Sequence, residues 1–464
     1  MAATSTIDTL TDELTGALAS ERVTRGEALR EQHARGEAYH PAALPDVVVF
    51  PESVEEVVAI VERCRARRVP IVPVGAGTSL EGNVNALHGG VSVDMTHMNR
   101  ILRIGQEDLD VTVQAGVTRK QLNDRLRADG LFFPIDPGAD ATIGGMVGTR
   151  ATGTTTVRYG GMRENVISLK VVTATGEVLQ TASRARKSAA GYDLTRLFVG
   201  SEGTLGIVVE ATLRLYGVPE AMGAAVCSVP SVDAAVQTVI QTIQLGVPVA
   251  RMELLDEVQM DAIVRFSELP YAIAPTLFLE FHGTDASVEE AAATVAEIAQ
   301  EHGGGDFQWS PDQTERNRLW QARHDSYYAA LALRPGARAF ATDVCLPISS
   351  MAGLIAETRA DIDRSDLLAM VVGHVGDGNF HVMFLLDMDD EDEVARAKAV
   401  NDRMVRRAIE LDGTCTGEHG VGYGKIPYLE LERGPVGMAL LGTIKQALDP
   451  DGIMNPGKVV PLAP

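Results

Sequence analysis

The sequence predicts an α+β protein of two or three domains, on the evidence of its length and of two different strand patterns. A chain of 464 residues is longer than one hydrophobic core usually stabilises. Its composition, 45% hydrophobic and 22% charged residues, is typical of soluble proteins with buried cores. The first half alternates strands with glycine-rich loops. Between residues 217 and 424 the pattern changes to strand–helix–strand units, which predict helices packed on an antiparallel sheet.

The N-terminal segment predicts a short amphipathic helix. Leu10, Leu14 and Leu18 are spaced by four residues, so they share one helical face. This spacing favours packing against the next domain over attachment to a membrane. Acidic residues stand where a signal peptide needs basic ones, and no stretch is long and apolar enough to cross a bilayer.

A helix is predicted after residue 53, where Ser53-Val54-Glu55-Glu56 has the form of a capping box. Its apolar face ends near Arg68, and the run VPIVPV then predicts a strand. The loop GAGTSLEGN leads to a second strand in which Val91, Val93 and Met95 alternate with polar residues. A common dinucleotide fold would place its glycine loop between a strand and a helix, and Leu80 stands where a third glycine belongs.

Further strands are predicted at 111–115, around 169–173 and, with clear alternation, at 207–215. Thr175-Gly176 marks a hairpin turn between two of the strands. In the second half, the strands VCSV, LFLEF and DVCL precede helices at 231–244, 287–301 and 349–363. Residues 448–464 are predicted to form a tail.

Three glycine-rich segments, 73–83, 136–161 and 201–208, lie in the first half of the chain. Successive backbone N–H groups in such loops cradle a pyrophosphate. Each segment taken singly is also compatible with a plain connection between elements. Three of them together favour an extended nucleotide cofactor.

The segments GHVGDGNFH at 373–381 and GEHGVG at 417–422 contain candidate ligands for a metal. His374 and His381 are separated by a glycine turn, and Glu418 offers a hard oxygen. Nitrogen and carboxylate ligands without cysteine suit zinc, manganese or iron with an open position for substrate. His419 is then available to move protons. The alternative is that these are ordinary surface or hydrogen-bonded core histidines.

A formal net charge of −22 argues against binding to nucleic acid. The four cysteines are far apart and form no C-x-x-C motif, so neither a structural zinc site nor a disulfide framework is predicted. A reducing compartment suits this composition. We therefore expect a cytoplasmic protein, with peripheral association at the inner face of the membrane as the alternative.

With these motifs in view, the chain resembles the flavoprotein family of vanillyl-alcohol oxidase and p-cresol methylhydroxylase. Within it, the chain is most similar to the branch of FAD-linked D-lactate dehydrogenases, glycolate oxidase flavoprotein subunits and D-2-hydroxyglutarate dehydrogenases. The resemblance extends from PDVVVFPESVEEV to MNPGKVV. It implies an FAD-binding fold of the p-cresol methylhydroxylase type, with two subdomains, at 1–217, a substrate-binding cap at 218–424, and a C-terminal segment, 425–464, that returns to the FAD domain.

The resemblance also implies the roles of individual residues. FAD is expected to be dissociable, because Thr78 stands near the position where relatives with covalent flavin have a histidine. His374, His381 and Glu418 correspond to ligands of one divalent metal, His419 to the active-site base, and Arg323 to the residue that binds the substrate carboxylate. The residues that correspond to FAD contacts are Pro73, Gly75, Ala76, Gly77, Thr78, Ser79, Gly82, Pro137, Gly138, Thr142, Gly145, Gly148, Thr149, Gly153, Thr154, Glu202, Gly206, Ile207 and Asn455.

The implied activity is oxidation of a D-2-hydroxy acid to the 2-oxo acid. Ala341, Tyr327 and Met383 replace polar residues of the hydroxyglutarate enzymes, which makes a second carboxylate costly to bury and favours D-lactate or a larger apolar acid. A glycolate oxidase subunit, a D-2-hydroxyglutarate dehydrogenase and a non-catalytic flavin-binding interaction protein are the alternatives; a metal-dependent hydrolase leaves the loops unexplained. The expected electron acceptor is a cytochrome, a quinone or an electron-transfer flavoprotein, and a homodimer is a further expectation.

Overall fold

The computed structural model describes residues 4–461, apart from the side chains of Thr4, Ala322 and His324. Their packing divides the chain into two compact units. Unit 1 contains the described residues up to Thr152, Gly160–Val218 and the described residues from Glu418 onward; unit 2 contains Gly153–Tyr159 and Pro219–Gly417. The boundary after Val218 lies one residue from the predicted 217/218 division, but the predicted domain of residues 1–217 is interrupted by Gly153–Tyr159, which belong to unit 2. The chain returns to unit 1 at Glu418 and not at residue 425, because the loop that begins there packs on other loops of unit 1.

The strands, in chain order, are β1 (Val23–Thr24), β2 (Val47–Val49), β3 (Ile71–Val74), β4 (Val91–Asp94), β5 (Ile101–Gly105), β6 (Asp110–Gln114), β7 (Leu131–Phe132), β8 (Val166–Thr173), β9 (Val178–Gln180), β10 (Gly206–Arg214), β11 (Tyr216–Gly217), β12 (Ala221–Ser228), β13 (Val249–Leu255), β14 (Thr276–Gly283), β15 (Phe307–Ser310), β16 (Arg338–Ala341), β17 (Val344–Cys345), β18 (Ala369–His374) and β19 (Asn379–Leu386).

The α-helices are α1 (Thr4–Ala17), α2 (Glu27–Gln32), α3 (Val54–Arg67), α4 (Arg119–Leu126), α5 (Ile143–Thr149), α6 (Thr156–Tyr159), α7 (Met162–Asn165), α8 (Leu194–Phe198), α9 (Val232–Gln244), α10 (Glu257–Ser267), α11 (Asp285–Glu301), α12 (Gln313–His324), α13 (Ser326–Leu333), α14 (Ile348–Arg364), α15 (Glu391–Glu410) and α16 (Ile426–Leu448). Helix α16 is kinked at Gly434, which has a φ of 66° and precedes Pro435.

Unit 1 contains two main sheets. Strands β1, β2, β4 and β3 form a four-stranded sheet in that order, with parallel pairing of β4 to both β2 and β3. Strands β5, β6, β10, β8 and β9 form a five-stranded antiparallel sheet. The C-terminal segment returns to the first sheet, where Met454 bridges to Ile71 of β3.

The N-terminal helix packs on this unit as its spacing predicts. Leu10, Leu14 and Leu18 are buried in one core cluster with Val57 and Ile60 of α3. Helix α3 begins as the capping box predicts, since Ser53 Oγ accepts the N–H of Glu56, and it ends at Arg68, which adopts a left-handed conformation. Among residues 4–461, no helix combines the length and hydropathy needed to cross a bilayer.

Unit 2 is built on an eight-stranded antiparallel sheet, as the second half of the sequence predicts. The strand order is β15, β12, β14, β13, β18, β19 and β16, and β17 also pairs with β19. Helices α10, α12 and α13 pack on the sheet through an apolar cluster that includes Phe278, Trp320 and Val372. The strand pair β18–β19 positions the two histidines of GHVGDGNFH.

Candidate active site

The loop that follows β3 in unit 1 is shaped for close approach to a ligand. A Cβ atom on Gly75 would overlap with Thr142 Oγ1, so glycine is needed to bring these two segments together. Thr142 in turn caps α5, because its Oγ1 accepts the N–H of Gly145 at 3.3 Å. Ser79 Oγ is shielded from solvent and has no hydrogen-bond partner among the described residues. A buried hydroxyl lacking a partner, within a glycine loop, fits a pyrophosphate oxygen and therefore fits FAD.

The glycine-rich segments of unit 1 converge, although the sequence separates them widely. Glu202 donates its backbone N–H to Gly148 O at 3.0 Å. Asn455 Nδ2 donates to Asn83 O at 3.0 Å and to Glu202 O at 2.7 Å. The side chain of Asn455 thus holds two of the loops together, a structural task that the sequence did not reveal.

Other predicted FAD residues are placed differently. The side chain of Ile207 is 1% exposed and lies in the hydrophobic core, so its main chain is the part available to a cofactor. Gly138 faces open space. Gly153 and Thr154 belong to unit 2, where the N–H of Gly153 binds Thr156 Oγ1 at 3.0 Å. Their assignment to FAD remains a prediction.

Glu202 organises the loop GEHGVG from within unit 1. Its Oε1 accepts the N–H of Val421 at 2.7 Å, and its Oε2 accepts the N–H of Gly422 at 2.9 Å. Asn83 Nδ2 donates to the same carboxylate. Burial raises the pKa of Glu202 above its ordinary value, against the effect of these donors. The carboxylate predicted to bind FAD is therefore committed to protein backbone.

Glu81 is a second buried carboxylate in unit 1, and it faces the predicted base. Lys425 Nζ lies 3.3 Å from Glu81 Oε1, and His419 Nδ1 lies 3.7 Å from the same oxygen. Burial opposes ionisation of Glu81, but Lys425, His40 and His419 lower its pKa to about 2. A charged carboxylate therefore faces the Nδ1 side of the predicted base. Sequence reasoning missed Glu81 and Lys425, whose signal was one acid and one lysine in or beside glycine-rich loops.

Glu418 precedes this base, and its Oε2 accepts a hydrogen bond from Thr152 Oγ1 at 2.7 Å within unit 1. The residues just before it belong to unit 2. Thr416 Oγ1 donates to Asp343 Oδ2 at 2.7 Å, and the α-carbon of Gly417 packs so closely on Asn379 that a Cβ there would clash.

The histidine pair of GHVGDGNFH is brought together in unit 2. His374 is the last residue of β18, and Val372 pairs with His381 across β18 and β19. The ring centroids of the two histidines are 5.4 Å apart, and one ring nitrogen of each lies within 4.8 Å of the other. Gly378, with a φ of 78°, allows the tight turn between the strands.

Both rings are oriented by hydrogen bonds from Nδ1. His374 Nδ1 donates to Glu253 Oε1 at 2.6 Å, and His381 Nδ1 donates to Thr342 O at 2.9 Å. In a neutral imidazole this tautomer places the lone pair on Nε2, as in histidines that ligate metals. The donor set therefore fits a divalent metal.

Arg323 of α12 lies on the same buried acid as His374. Its Nε and Nη2 donate to Glu253 Oε2 at 3.0 and 2.8 Å, and its Nη1 donates to Ser326 Oγ at 3.2 Å. Glu253 is fully buried; burial raises its pKa, but His374 and Arg323 together hold the pKa below its ordinary value. Arg323 is thus an oriented guanidinium, and a ligand would meet its remaining N–H groups. Glu253 was missed because nothing in its local sequence marks it.

A further buried carboxylate, Asp343, lies beside His381, with 3.8 Å between Asp343 Oδ1 and His381 Nδ1. Asp343 Oδ1 accepts from Asn379 Nδ2 at 2.8 Å. The three positions that the sequence predicts to select the substrate are apolar or aromatic. Ala341 pairs with Met383 across β16 and β19, and Tyr327 is 48% exposed and packs edge-on against Tyr328.

Comparisons with known proteins identify the family of this chain. Residues 218–459 match the model of the FAD linked oxidases, C-terminal domain, and residues 45–182 match that of the FAD binding domain. The probable mitochondrial D-lactate dehydrogenase of Danio rerio is 53% identical over 99% of this chain and 93% of its own length. The mitochondrial cytochrome-type D-lactate dehydrogenase of Arabidopsis thaliana is 49% identical over 91% of this chain and 75% of its own length. The glycolate oxidase subunit GlcD of Bacillus subtilis is 36% identical over 90% of this chain and 89% of its own length.

Solved structures show the fold. The 4-ethylphenol oxidase of Gulosibacter chungangensis superposes with a TM-score of 0.82 at 19% identity, covering 99% of this chain and 98% of that one. The p-cresol methylhydroxylase superposes with a TM-score of 0.79 at 17% identity, with coverage of 99% and 98%. The predicted fold, an α+β FAD-binding fold of the p-cresol methylhydroxylase type, is confirmed. This chain belongs to the family of FAD-linked oxidases.

Proposed function

We propose that this protein oxidises a D-2-hydroxy acid, D-lactate first among them, to the 2-oxo acid with FAD and one divalent metal. The observation that carries the proposal is the pair of groups on Glu253: an imidazole in the tautomer of a metal ligand and an oriented guanidinium. A 2-hydroxy acid presents a hydroxyl and a carboxylate on adjacent carbons, and these two groups match the two partners of Glu253.

His374 and His381 would hold the metal through Nε2, with Glu418 as the third ligand. Support for Glu418 comes from the chain just before it, because Thr416 and Gly417 pack on Asp343 and Asn379, next to the histidine pair. Two imidazole nitrogens and one carboxylate suit zinc, manganese or iron(II). The reconstitution experiment below distinguishes these three ions.

When bound, FAD supplies a hydride acceptor and the metal supplies Lewis acidity at the substrate hydroxyl. Arg323 binds and orients the substrate carboxylate through its remaining N–H groups. His419 Nε2 takes the hydroxyl proton, while Nδ1 faces Glu81, which stabilises the resulting imidazolium. The buried setting of Glu81 and Lys425 keeps this charge arrangement away from water.

The substrate is proposed to carry an apolar side chain. Ala341 and Met383 face each other across neighbouring strands and offer no donor for a second carboxylate. Relatives that are 53% and 49% identical to this chain are named D-lactate dehydrogenase, which agrees with this preference. A D-2-hydroxyglutarate dehydrogenase would need to satisfy that carboxylate elsewhere.

Anaerobic reduction of the purified protein tests the proposal. The flavin should bleach on addition of D-lactate and should keep its colour with L-lactate. EDTA treatment should abolish bleaching, and one of zinc, manganese or iron(II) should restore it. Full-rate reduction of metal-free protein would remove the ion from the mechanism, and unbleached flavin with every D-2-hydroxy acid would favour a non-catalytic flavin protein.

Two histidine variants distinguish a loss of catalysis from a general effect of replacing a histidine. His419→Ala should keep FAD and lose bleaching by D-lactate. His97→Ala is the matched control, because that side chain is 46% exposed and lies outside the proposed site. Equal bleaching rates in the two variants would contradict the role of His419.

The identity of the electron carrier is a separate proposal. A cytochrome, a quinone and an electron-transfer flavoprotein are to be compared as acceptors of reduced protein in stopped-flow experiments. A cytoplasmic location and a homodimer, both expected from the sequence, are tested by cell fractionation and light scattering.

A further inference from the structure

Glu253 lies where the proposed metal site and the proposed carboxylate site meet. It belongs to β13 in the interior of the eight-stranded sheet and pairs directly with His374 of β18. Each of its oxygens has a different task, because Oε1 accepts from His374 Nδ1 at 2.6 Å and Oε2 accepts from Arg323 Nε and Nη2 at 3.0 and 2.8 Å. The side chain is fully buried, so water does not substitute for either partner.

The two histidines differ in what orients them. His381 is held by a main-chain carbonyl, that of Thr342, which a side-chain substitution leaves in place. His374 is held by a carboxylate that simultaneously fixes a guanidinium on another element, α12. A change at Glu253 therefore reaches one metal ligand and the substrate-binding arginine together, and leaves His381 alone.

We infer that Glu253 is a positioning residue that sets His374 for the metal and Arg323 for the substrate carboxylate at once. The inference rests on the proposed function and deepens it. Hydrogen bonds from both donor residues are needed, because an ionised carboxylate buried at this depth is destabilised when either donor is lost. A glutamine cannot replace it, since its amide would offer an N–H donor to His374 or to Arg323, each of which is already a donor.

The test measures metal binding separately from turnover. Mn²⁺ affinity of the purified flavoprotein is measured by electron paramagnetic resonance, and KM and kcat for D-lactate are then measured at saturating Mn²⁺. Glu253→Gln should weaken Mn²⁺ binding by about 10- to 100-fold, the usual effect of losing such a partner. At saturating Mn²⁺ its KM for D-lactate should still be raised, by about 10-fold, because Arg323 is no longer held.

The chain provides a matched control on the next strand. Glu280 of β14 is also buried, but its partners are a different histidine and a different arginine: His282 Nε2 at 2.6 Å and Arg251 Nε at 3.5 Å. Glu280→Gln removes a comparable buried charge, so it reports the general cost of such a change. Its Mn²⁺ affinity and KM should stay within about twofold of wild type.

A double variant tests whether Glu253 affects substrate binding through Arg323. Arg323→Lys should raise KM at saturating Mn²⁺, and adding Glu253→Gln should raise it no further, since both changes remove the same guanidinium placement. Fully additive effects would overturn the link to Arg323. Unchanged Mn²⁺ affinity in Glu253→Gln would overturn the link to His374.

Glu253→Asp keeps the test decisive if the glutamine variant does not fold. The shorter acid retains the charge and reaches one partner at most, so Mn²⁺ affinity or KM should still worsen at least about fivefold. Wild-type values for both would overturn the inference. Wild-type protein that neither binds Mn²⁺ nor oxidises D-lactate would instead overturn the proposed function.

Discussion

The carboxylate of Glu202 accepts the backbone N–H of Gly422 at 2.9 Å, across 220 residues of sequence. Its other oxygen accepts the N–H of Val421, so one side chain fixes the end of the loop that carries Glu418 and His419. The proposed base is therefore placed by a residue of a segment that the sequence assigns to flavin binding.

Glu202→Gln should loosen this loop. The amide of glutamine would direct an N–H group at one backbone donor, which leaves a buried group unsatisfied and costs about 1–3 kcal/mol of unfolding free energy. Urea unfolding measures that loss, and reduction by D-lactate should slow as His419 becomes misplaced. Glu107→Gln, an exposed change in the same unit, is the control; equal stability of the two variants would contradict the argument.

Ser79→Ala should weaken FAD binding without loss of stability in the apoprotein. Ser79 Oγ is buried and lacks a hydrogen-bond partner within residues 4–461 as described, so its removal breaks no hydrogen bond among them. We expect FAD affinity to fall about 10-fold, as for one lost hydrogen bond to a charged group. Flavin fluorescence in the ultrafiltrate measures it, with the exposed Ser188→Ala as control. Unchanged retention would remove Ser79 from the FAD site.

Asp256 predicts a pH dependence of stability. Burial raises its pKa from 3.8 to about 7, although the N–H groups of Gln259 and Val371 oppose the shift. Because the folded-state pKa is raised, this group's contribution is fully present below pH 3.8 and is lost as pH rises through about 7. Asp256→Asn should flatten the fall of unfolding free energy between about pH 4 and 7.

Urea unfolding at several pH values measures this slope for the wild type, for Asp256→Asn and for the exposed control Asp233→Asn. The asparagine keeps an oxygen for the N-cap of α10 and loses the bond to Val371, so a uniform destabilisation is expected besides the change in slope. A slope in Asp256→Asn equal to that of the wild type would contradict the assignment.

Leu14→Ala tests the packing of the N-terminal helix. Leu14 is fully buried with α3, so its truncation should lower the unfolding free energy by about 2–5 kcal/mol. Leu440→Ala, at a position 60% exposed, should have little effect. If Leu14→Ala instead kept full stability and reduced binding to lipid vesicles, the helix would be a membrane contact.

Much of the local structure could be predicted because its determinants lie within a few residues of each other. Ser53 and Glu56 form the cap of α3, and the alternation at 207–215 matches β10. The approach of His374 to His381 could also be predicted from local spacing, because a glycine turn between two strands reverses the chain and brings the strands side by side. The predicted tail, 448–464, agrees with the structure from residue 449, where α16 has ended, to residue 461; residues 462–464 lie outside the described residues.

By itself, the sequence determined the fold class, the glycine loops and the approach of His374 to His381. Only the tertiary structure decided that Glu253 joins His374 to Arg323, and that Glu202 and Glu81 organise the loop of His419. Glu253 and His374 are 121 residues apart. Their contact depends on which strands become neighbours and in which register. Strand order is set by burial and hydrogen bonding summed over the whole sheet, and no short stretch of sequence contains that information.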